Sequence, residues 1–441
     1  MTVLVGVDTQ TSALQSGLKK ATIRLVPFLF VAYIINFLDR VNIGYAALTM
    51  NADIGLSATA YGLGASLFFV GYILFEVPSN IMLERVGARI WIARIMISWG
   101  VVGACMMFVQ GPYTFYLLRF LLGVAEAGFF PGVILYITYW FPASSRGRIV
   151  GMFMASMPVA GIFGAPLSTW FLGFEGLWGL RGWQVMFLFE ALPAIVGGIV
   201  AYFYLSDKPA VAKWLDQDEK RALTEEVRRG LSSGSKGQHA SGHQPFLTLF
   251  ADSRVIMLGF VYFCVLVGLY SVSYWFPQIM KQLGLTVSQV GLVSAIPYIV
   301  SAVAMILWGR SSDRSGERVW HLALAMLICA VGFLTAGLLA TSQVWTVVGI
   351  SLALIGVFSA APPFWALATQ LLTGEKSAAA IALVVSLATI GGIVAPYWVG
   401  WMKDFTGDFG LSLIGIAAVP VLGAIVALAI GVVHKGLLRR A

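Results

Sequence analysis

The chain has 441 residues, 59% of them hydrophobic and only 11% charged, with a mean hydropathy of +0.87 and a formal net charge of +8. That composition excludes an ordinary soluble globular domain. The positive charge does not point to nucleic acid, because it lies in loops between apolar spans and forms no basic, aromatic-interleaved patch.

In chain order, the residues through Ser16 are polar and lack the basic, short apolar and small-residue stretches of a cleaved signal, so the first apolar segment is expected to be retained. Stretches of about 18 or more apolar residues read as membrane helices. Twelve are expected, over 24–48, 58–83, 89–109, 113–139, 149–172, 183–205, 254–280, 289–309, 319–340, 344–372, 378–402 and 410–433. The fold class is therefore an all-α polytopic membrane protein. Its parts are an N-terminal tail (1–23), a first six-helix half (24–205), a central loop (206–253), a second six-helix half (254–433) and a C-terminal tail (434–441). With both termini in the cytoplasm, 22 Lys and Arg fall on that side against three, Arg181, Lys281 and Lys403, on the other. The positive-inside rule thus decides the expected orientation. Cys105, Cys264 and Cys329 lie in apolar stretches and no disulfide framework is expected.

The first span carries Tyr33, Asn36, Asp39 and Arg40 at spacings of three and four, a polar stripe that must face a cavity. The second carries Tyr72 and Glu76. In the fourth, LRFLLGVAEAGFFP places Arg119 and Glu126 seven residues apart, two helical turns or about 10 Å along one face. A charge at this depth costs about 3 kcal/mol, so such residues face a bundle interior or a water-filled pathway. Asp39, Arg40, Arg119 and Glu126 sum to zero charge and are expected to form one balanced site. Arg94 is shallow enough to snorkel. Glu190 in the sixth span has no assigned role. The glycines of the fifth (Gly151, Gly161, Gly164, with Pro158 and Pro166) suit close packing and bending, and they form no nucleotide loop.

The central loop combines a charged surface helix over 216–229 with a Gly, Ser and His-rich linker over 231–244, in which His239 and His243 read as linker and not as a metal site. The second half has almost no intramembrane charge, so it should supply shape and neutral hydrogen bonds. Its candidates are Tyr270, Tyr274 and Gln278, then Trp365, Thr369 and Gln370, then Ser386 and Thr389. Trp365 stands out, because Pro362 and Pro363 are expected to break its helix beside a large ring. For the others helix packing is an equal reading.

The halves share a motif. NIMLERVGAR follows the second span and GRSSDRSGER the eighth, matching Glu84 with Asp313, Arg85 with Arg314, Gly87 with Gly316 and Arg89 with Arg318. These six charged residues are a candidate cytoplasmic gate, the alternative being that the arginines only enforce topology. At these residues the chain resembles the major facilitator superfamily, although Asn80 and Glu84 depart from the usual Gly and Asp. Through FLDRVNIGYAALTM, FEVPSNIMLERVGAR and LRFLLGVAEAGFFPGVILYITYWFP it is similar to that superfamily's anion:cation symporters, and among them to bacterial tartrate-type organic-acid permeases.

The residues themselves suggest that Arg40 and Arg119 bind a carboxylate, with Tyr72, Asn36, Trp365, Tyr274, Gln278 and Thr389 around it, and that Asp39 and Glu126 carry protons. The resemblance implies the same roles for the Asp-Arg pair and for Arg119 and Glu126. It also implies a proton-coupled symporter of a small organic anion in the inner membrane, a functional monomer whose coupling ion is the proton, with no other cofactor and no enzyme activity. Relatives that carry polyhydroxylated acids commonly show an asparagine where this chain has Val385 and Thr389, which leaves a less hydroxylated or aromatic acid as the alternative substrate. A membrane-embedded enzyme would need a metal or nucleophile cluster, and only His321 and His434 remain. A non-transporting anion sensor stays open.

Overall fold

In the computed structural model, which describes residues 2–234, 252–372 and 377–434, the chain is helical throughout and has twelve helices long and apolar enough to cross a membrane. They are α1 Ser12–Asp53, α2 Ala58–Val86, α3 Ala88–Phe108, α4 Pro112–Trp140, α5 Ser144–Leu172, α6 Gly182–Tyr204, α7 Ser253–Gln282, α8 Val287–Ser315, α9 Val319–Leu338, α10 Gln343–Leu371, α11 Ala379–Thr406 and α12 Gly410–Val433. The number agrees with the hydropathy reading, and the bounds differ mostly by a few residues. A helix satisfies most of its backbone groups internally, which is what lipid requires of a spanning segment. Lys376, Lys435, Arg439 and Arg440, with Lys236, His239 and His243 of the expected linker, lie outside the described residues.

Two boundaries change. The N-terminal residues expected as a tail are helical from Thr2, continuous with the first membrane helix. The charged stretch of the central loop forms a helix over Gln217–Gly234, and the two pack together: Gly17 lies against Glu219, Ser16 Oγ donates to Glu219 Oε1 (2.6 Å) and Lys20 Nζ to Oε2 (2.8 Å). The central connection is thereby anchored on α1.

The interruptions of the membrane helices fall where sequence reasoning did not place them. Pro362 and Pro363 lie inside an unbroken α10, so the expected break beside Trp365 is absent. Adjacent prolines lose two ladder donors, but the neighbouring helices hold the segment in line. The ladder is instead interrupted at Asn42 in α1, Ala155 in α5 and Ile390 in α11, each with helical dihedrals. A full break occurs only in α4, between Pro112–Glu126 and Phe129–Trp140, where Ala127 is extended (ψ 132°) and Gly128 takes φ +85°. A side chain at Gly128 would be strained by that φ and would meet Ser79 Oγ of α2 at 2.3 Å.

The two halves are joined mainly at the end opposite the termini, here the far end. Gly62 faces Pro396 O, Gly400 faces Ala58 O and Gly44 faces Ser273 O so closely that a Cβ would come within 2.4, 2.3 and 2.7 Å of them. Between the same elements Tyr61 Oη donates to Tyr274 O (3.2 Å), Ser66 Oγ to Ile393 O (2.6 Å), Thr59 N to Asp404 Oδ2 (2.7 Å), and Lys281 Nζ to Leu48 O. Gln278, one of the expected binding residues, lies in this seam and accepts from Asn51 Nδ2 (3.4 Å). On α5, Gly161 lies under the Tyr298 ring of α8, as expected of a glycine that permits close packing.

At the termini end both copies of the motif turn at a glycine of positive φ, Gly87 (φ +101°, ψ 146°) and Gly316 (φ +67°, ψ 3°). The charges beside them stay within their own halves. Arg318 Nη1 donates to Asp313 Oδ1 (2.7 Å) and Ser312 Oγ (2.9 Å), while Arg89 lies over Tyr202 (5.0 Å) and its backbone N–H donates to Asp207 Oδ1 (2.9 Å). No hydrogen bond or ion pair among the described residues links Glu84, Arg85 or Arg89 to Asp313, Arg314 or Arg318, so a latch between the halves is not formed in this conformation.

Glu219 generates a pH prediction. Burial raises its carboxyl, but hydrogen bonds from Lys20, Ser16 and the Asp216 backbone outweigh burial and hold it below the usual carboxylate range. Its contribution is therefore present above the ordinary carboxylate pKa and lost as pH falls through the depressed one. Hydrogen exchange over residues 12–20 should accelerate on acidification, and Glu219→Gln should show the fast exchange already at neutral pH.

Candidate functional site

The site lies where α1, α2, α4 and α7 meet. Gly123 of α4 brings this about: a Cβ there would stand 1.9 Å from Phe68 O, so α4 lies directly on α2. The Phe68 ring then has Arg119 on it at 4.9 Å and Arg40 at 5.4 Å, guanidinium carbon to ring centroid. Two buried cations thus share one aromatic ring, an arrangement in which the ring quadrupole supplies part of the lost hydration. Tyr72 adds a second face to Arg40, at 5.2 Å.

Arg40 forms a buried ion pair with Glu126: Nε and Nη2 both donate to Glu126 Oε1, the Nε bond at 3.0 Å, while Nη1 donates to Tyr270 Oη on α7 (3.2 Å). The Glu126 side chain is fully buried and its Oε2 has no hydrogen-bond partner among the described residues. Arg119 is also fully buried, and its Nε and Nη2 likewise have no partner. Its electrostatic neighbours include Tyr61 and Tyr274, the latter with an unpartnered Oη. A guanidinium nitrogen left unmatched in the interior is costly, and an anion is the group that satisfies it best.

The expected balanced quartet is not one cluster. Asp39 follows helix geometry about 100° away from Arg40 and accepts a hydrogen bond from Trp99 Nε1 of α3 (2.8 Å), inside the first half. The buried charges that remain around the Phe68 ring are Arg40, Arg119 and Glu126, with a formal charge of +1 (two cations, one anion). Asn36, one turn before Arg40, is 1% exposed with both side-chain polar atoms unpartnered.

In the second half Tyr274 stacks on Tyr270 (5.8 Å), and Tyr270 packs at a tilt of 57° against Phe69 of α2 (4.5 Å). Thr389 Oγ1 donates to Val385 O of its own helix (2.8 Å) and Thr369 Oγ1 to Trp365 O (3.0 Å), so both have backbone partners. Trp365 packs edge-on against Tyr262 (5.2 Å) and Phe364. Glu76 lies one turn beyond Tyr72 and accepts from Ser386 Oγ of α11 (3.4 Å), the one hydrogen bond that the described residues make between the halves on the termini side of Arg40. Phe68 and Trp99 were invisible to sequence reasoning, since an aromatic in an apolar helix carries no mark of its neighbour. Only the indole N–H of Trp99, a donor in need of a partner, hinted at one.

The Major Facilitator Superfamily model matches residues 29–396 and 258–440. An Agrobacterium vitis protein named "Putative tartrate transporter" is 49% identical over 93% of this chain and 94% of its own. A Pseudomonas putida protein named "Putative metabolite transport protein NicT" is 41% identical over 97% of each. The Escherichia coli "Inner membrane transport protein RhmT" is 36% identical over 94% of this chain and 95% of its own. Among solved structures, a D-xylose-proton symporter superposes with TM-score 0.74 at 15% identity, over 92% of this chain and 97% of that one. A bacterial homologue of the human lysosomal transporter Spinster, inward-facing and occupied, gives 0.73 at 17%, over 92% and 96%.

Gly123 provides a test of the site's construction. Gly123→Ala should force α4 from α2, lower stability by roughly 1–3 kcal/mol as overpacking does, and separate Phe68 from the guanidiniums. The check is thermal unfolding in detergent against Gly164→Ala, where a Cβ would meet only Leu38 at 3.4 Å and the loss should be small.

Proposed function

The chain belongs to the Major Facilitator Superfamily and is a multi-pass membrane transporter, and on that premise we propose that it moves a small organic anion, a carboxylate of the tartrate type or a related hydroxy acid, together with protons. The observation that carries the reading is the fully buried Arg119, with two unpartnered guanidinium nitrogens, beside an Arg40 whose counter-ion is the removable Glu126. The relatives' names and the excess of Lys and Arg at the termini end support an inner-membrane carrier with that end in the cytoplasm.

Charge arithmetic gives the coupling. Arg40 and Arg119 supply two positive charges and Glu126 one negative. A dicarboxylate brings two more negative charges, leaving the site at −1 unless one is removed. The incoming carboxylate competes with Glu126 for the Arg40 fork, and a proton on the released Glu126 returns the site to zero. The anion is held by bidentate contacts and the proton by the acid it displaced, so neither crosses economically without the other. With the far end sealed through glycine contacts, the loaded site reaches the opposite side by rocking of the two halves. The aromatic surroundings, Phe68, Tyr72, Tyr270 and Tyr274, together with the backbone-bonded Thr389, favour a second reading in which the same mechanism serves an aromatic or less hydroxylated acid.

In proteoliposomes an inward proton gradient should drive accumulation of labelled tartrate, with aromatic acids and other hydroxy acids assayed in parallel. Glu126→Gln should abolish gradient-driven accumulation while anion exchange persists; undiminished accumulation would remove Glu126 from the coupling. Arg119→Lys keeps the charge but loses the planar fork, so half-saturation should rise about tenfold or more, the loss expected for one charge-assisted hydrogen bond. Unchanged half-saturation would exclude bidentate recognition.

A further inference from the structure

Of the two buried cations of the site, Arg119 makes no ion pair among the described residues. Its Nε and Nη2, the two donors along one edge of the guanidinium plane, lack hydrogen-bond partners, and its guanidinium carbon lies 4.9 Å from the centroid of the Phe68 ring. Arg40 has Glu126, Tyr270 and Tyr72 as well as the same ring at 5.4 Å. Phe68 is fully buried and has little freedom to move. Its carbonyl lies against Gly123 of α4, and its ring meets Phe69 edge-on (5.0 Å) and Tyr72 at a tilt (6.2 Å). The neighbouring Phe69 is also buried, but it packs against Tyr270 (4.5 Å) and Gly392 of α11, with no guanidinium over it among the described residues. One of two adjacent phenyl rings thus serves two cations, and the other serves none.

We propose that Phe68 is a positioning residue that stands in for a counter-ion while the carrier is empty: the negative face of its ring, and not its bulk, holds Arg119 and Arg40 in place until an anion arrives. A guanidinium gains most from a ring face where water is excluded, and Arg119 is fully buried. Contact through the face leaves the edge of the guanidinium free, and Nε with Nη2 is an edge that one carboxylate fits. The ring therefore positions the fork without occupying it, which an acid bonded to Arg119 could not do. A ring also fixes the charge count. An acid in its place would bring the empty site from +1 to zero, and a dicarboxylate would then need a second proton. When the anion takes over from an uncharged partner, no buried charge is left behind, so the proton requirement stays with Glu126. This role rests on the anion-carrier reading above.

The test is thermal unfolding of the full-length protein in detergent, with no organic anion added, after Phe68 is replaced by phenylalanine carrying one, two or three ring fluorines. Each fluorine withdraws electron density from the ring face, leaves the shape nearly unchanged and makes the ring more apolar. The unfolding temperature should fall with each fluorine, by on the order of 1 °C per step, and the same series at Phe69 should show no such fall. In an Arg119→Met background the fall at Phe68 should be about half as steep, since one of the two cations is gone. A flat or rising series at Phe68, equal slopes at Phe68 and Phe69, or an undiminished slope in Arg119→Met overturns the proposal, because each is what a ring that only packs would give. With tartrate present at a concentration that stabilises the wild type, the slope should become shallower, and an unchanged slope would overturn the stand-in role. If neither tartrate nor the other hydroxy and aromatic acids stabilise the wild type, the anion-carrier reading fails instead, whatever the fluorine series shows.

Discussion

Everything in the site depends on the buried Arg40–Glu126 pair. It ties α1 to α4, and through Tyr270 it reaches α7 of the other half, so three helices meet at one guanidinium. Breaking a pair at this depth by removing one partner costs about 3–5 kcal/mol, because the other charge is left in a low-dielectric interior. In the mechanism proposed above, that cost is met when a substrate carboxylate takes over the guanidinium and a proton neutralises the displaced Glu126.

The pair works because neighbouring features are built around it. Gly123 permits the close approach of α4 to α2, and that approach puts one phenyl ring against two guanidiniums. The break at Ala127 and Gly128 ends the first segment of α4 at Glu126, so the carboxylate sits at a helix end. Arg119, two turns earlier on the same face, is left without an acid of its own. An arginine in this position is held by packing and by a ring, and two of its guanidinium nitrogens have no hydrogen-bond partner among the described residues.

The two ends of the molecule on either side of the site are joined differently. At the far end, Gly44, Gly62 and Gly400 allow backbone from one half to lie against backbone of the other, and main-chain carbonyls accept most of the bonds across that seam. Such contacts are dry and closely fitted, yet they contain no buried ion pair that would have to be broken in full before the halves could part. At the termini end the charged turns of the two repeats are bonded within their own halves, and Glu76 with Ser386 forms the single described hydrogen bond between the halves beyond Arg40. Polar contacts between the halves are thus concentrated at the far end.

The sequence by itself determined the twelve spans, the glycine turns of the repeated motif, and the presence of arginines and acids within the spans. These are one-dimensional properties: hydropathy over about 20 residues, or the cost of one charge in lipid, can be read without knowing any neighbour. The tertiary structure alone decided how the charges are shared. Asp39 and Arg40 are adjacent in the chain and were read as members of one quartet, but neighbouring residues on a helix point about 100° apart, so one met Trp99 and the other Glu126. For the same reason Gln278 was drawn into the far-end seam, and the α10 prolines, which looked like a break, were held in line by surrounding helices. Composition tells which groups must find partners, and only packing in three dimensions decides which partner each one finds.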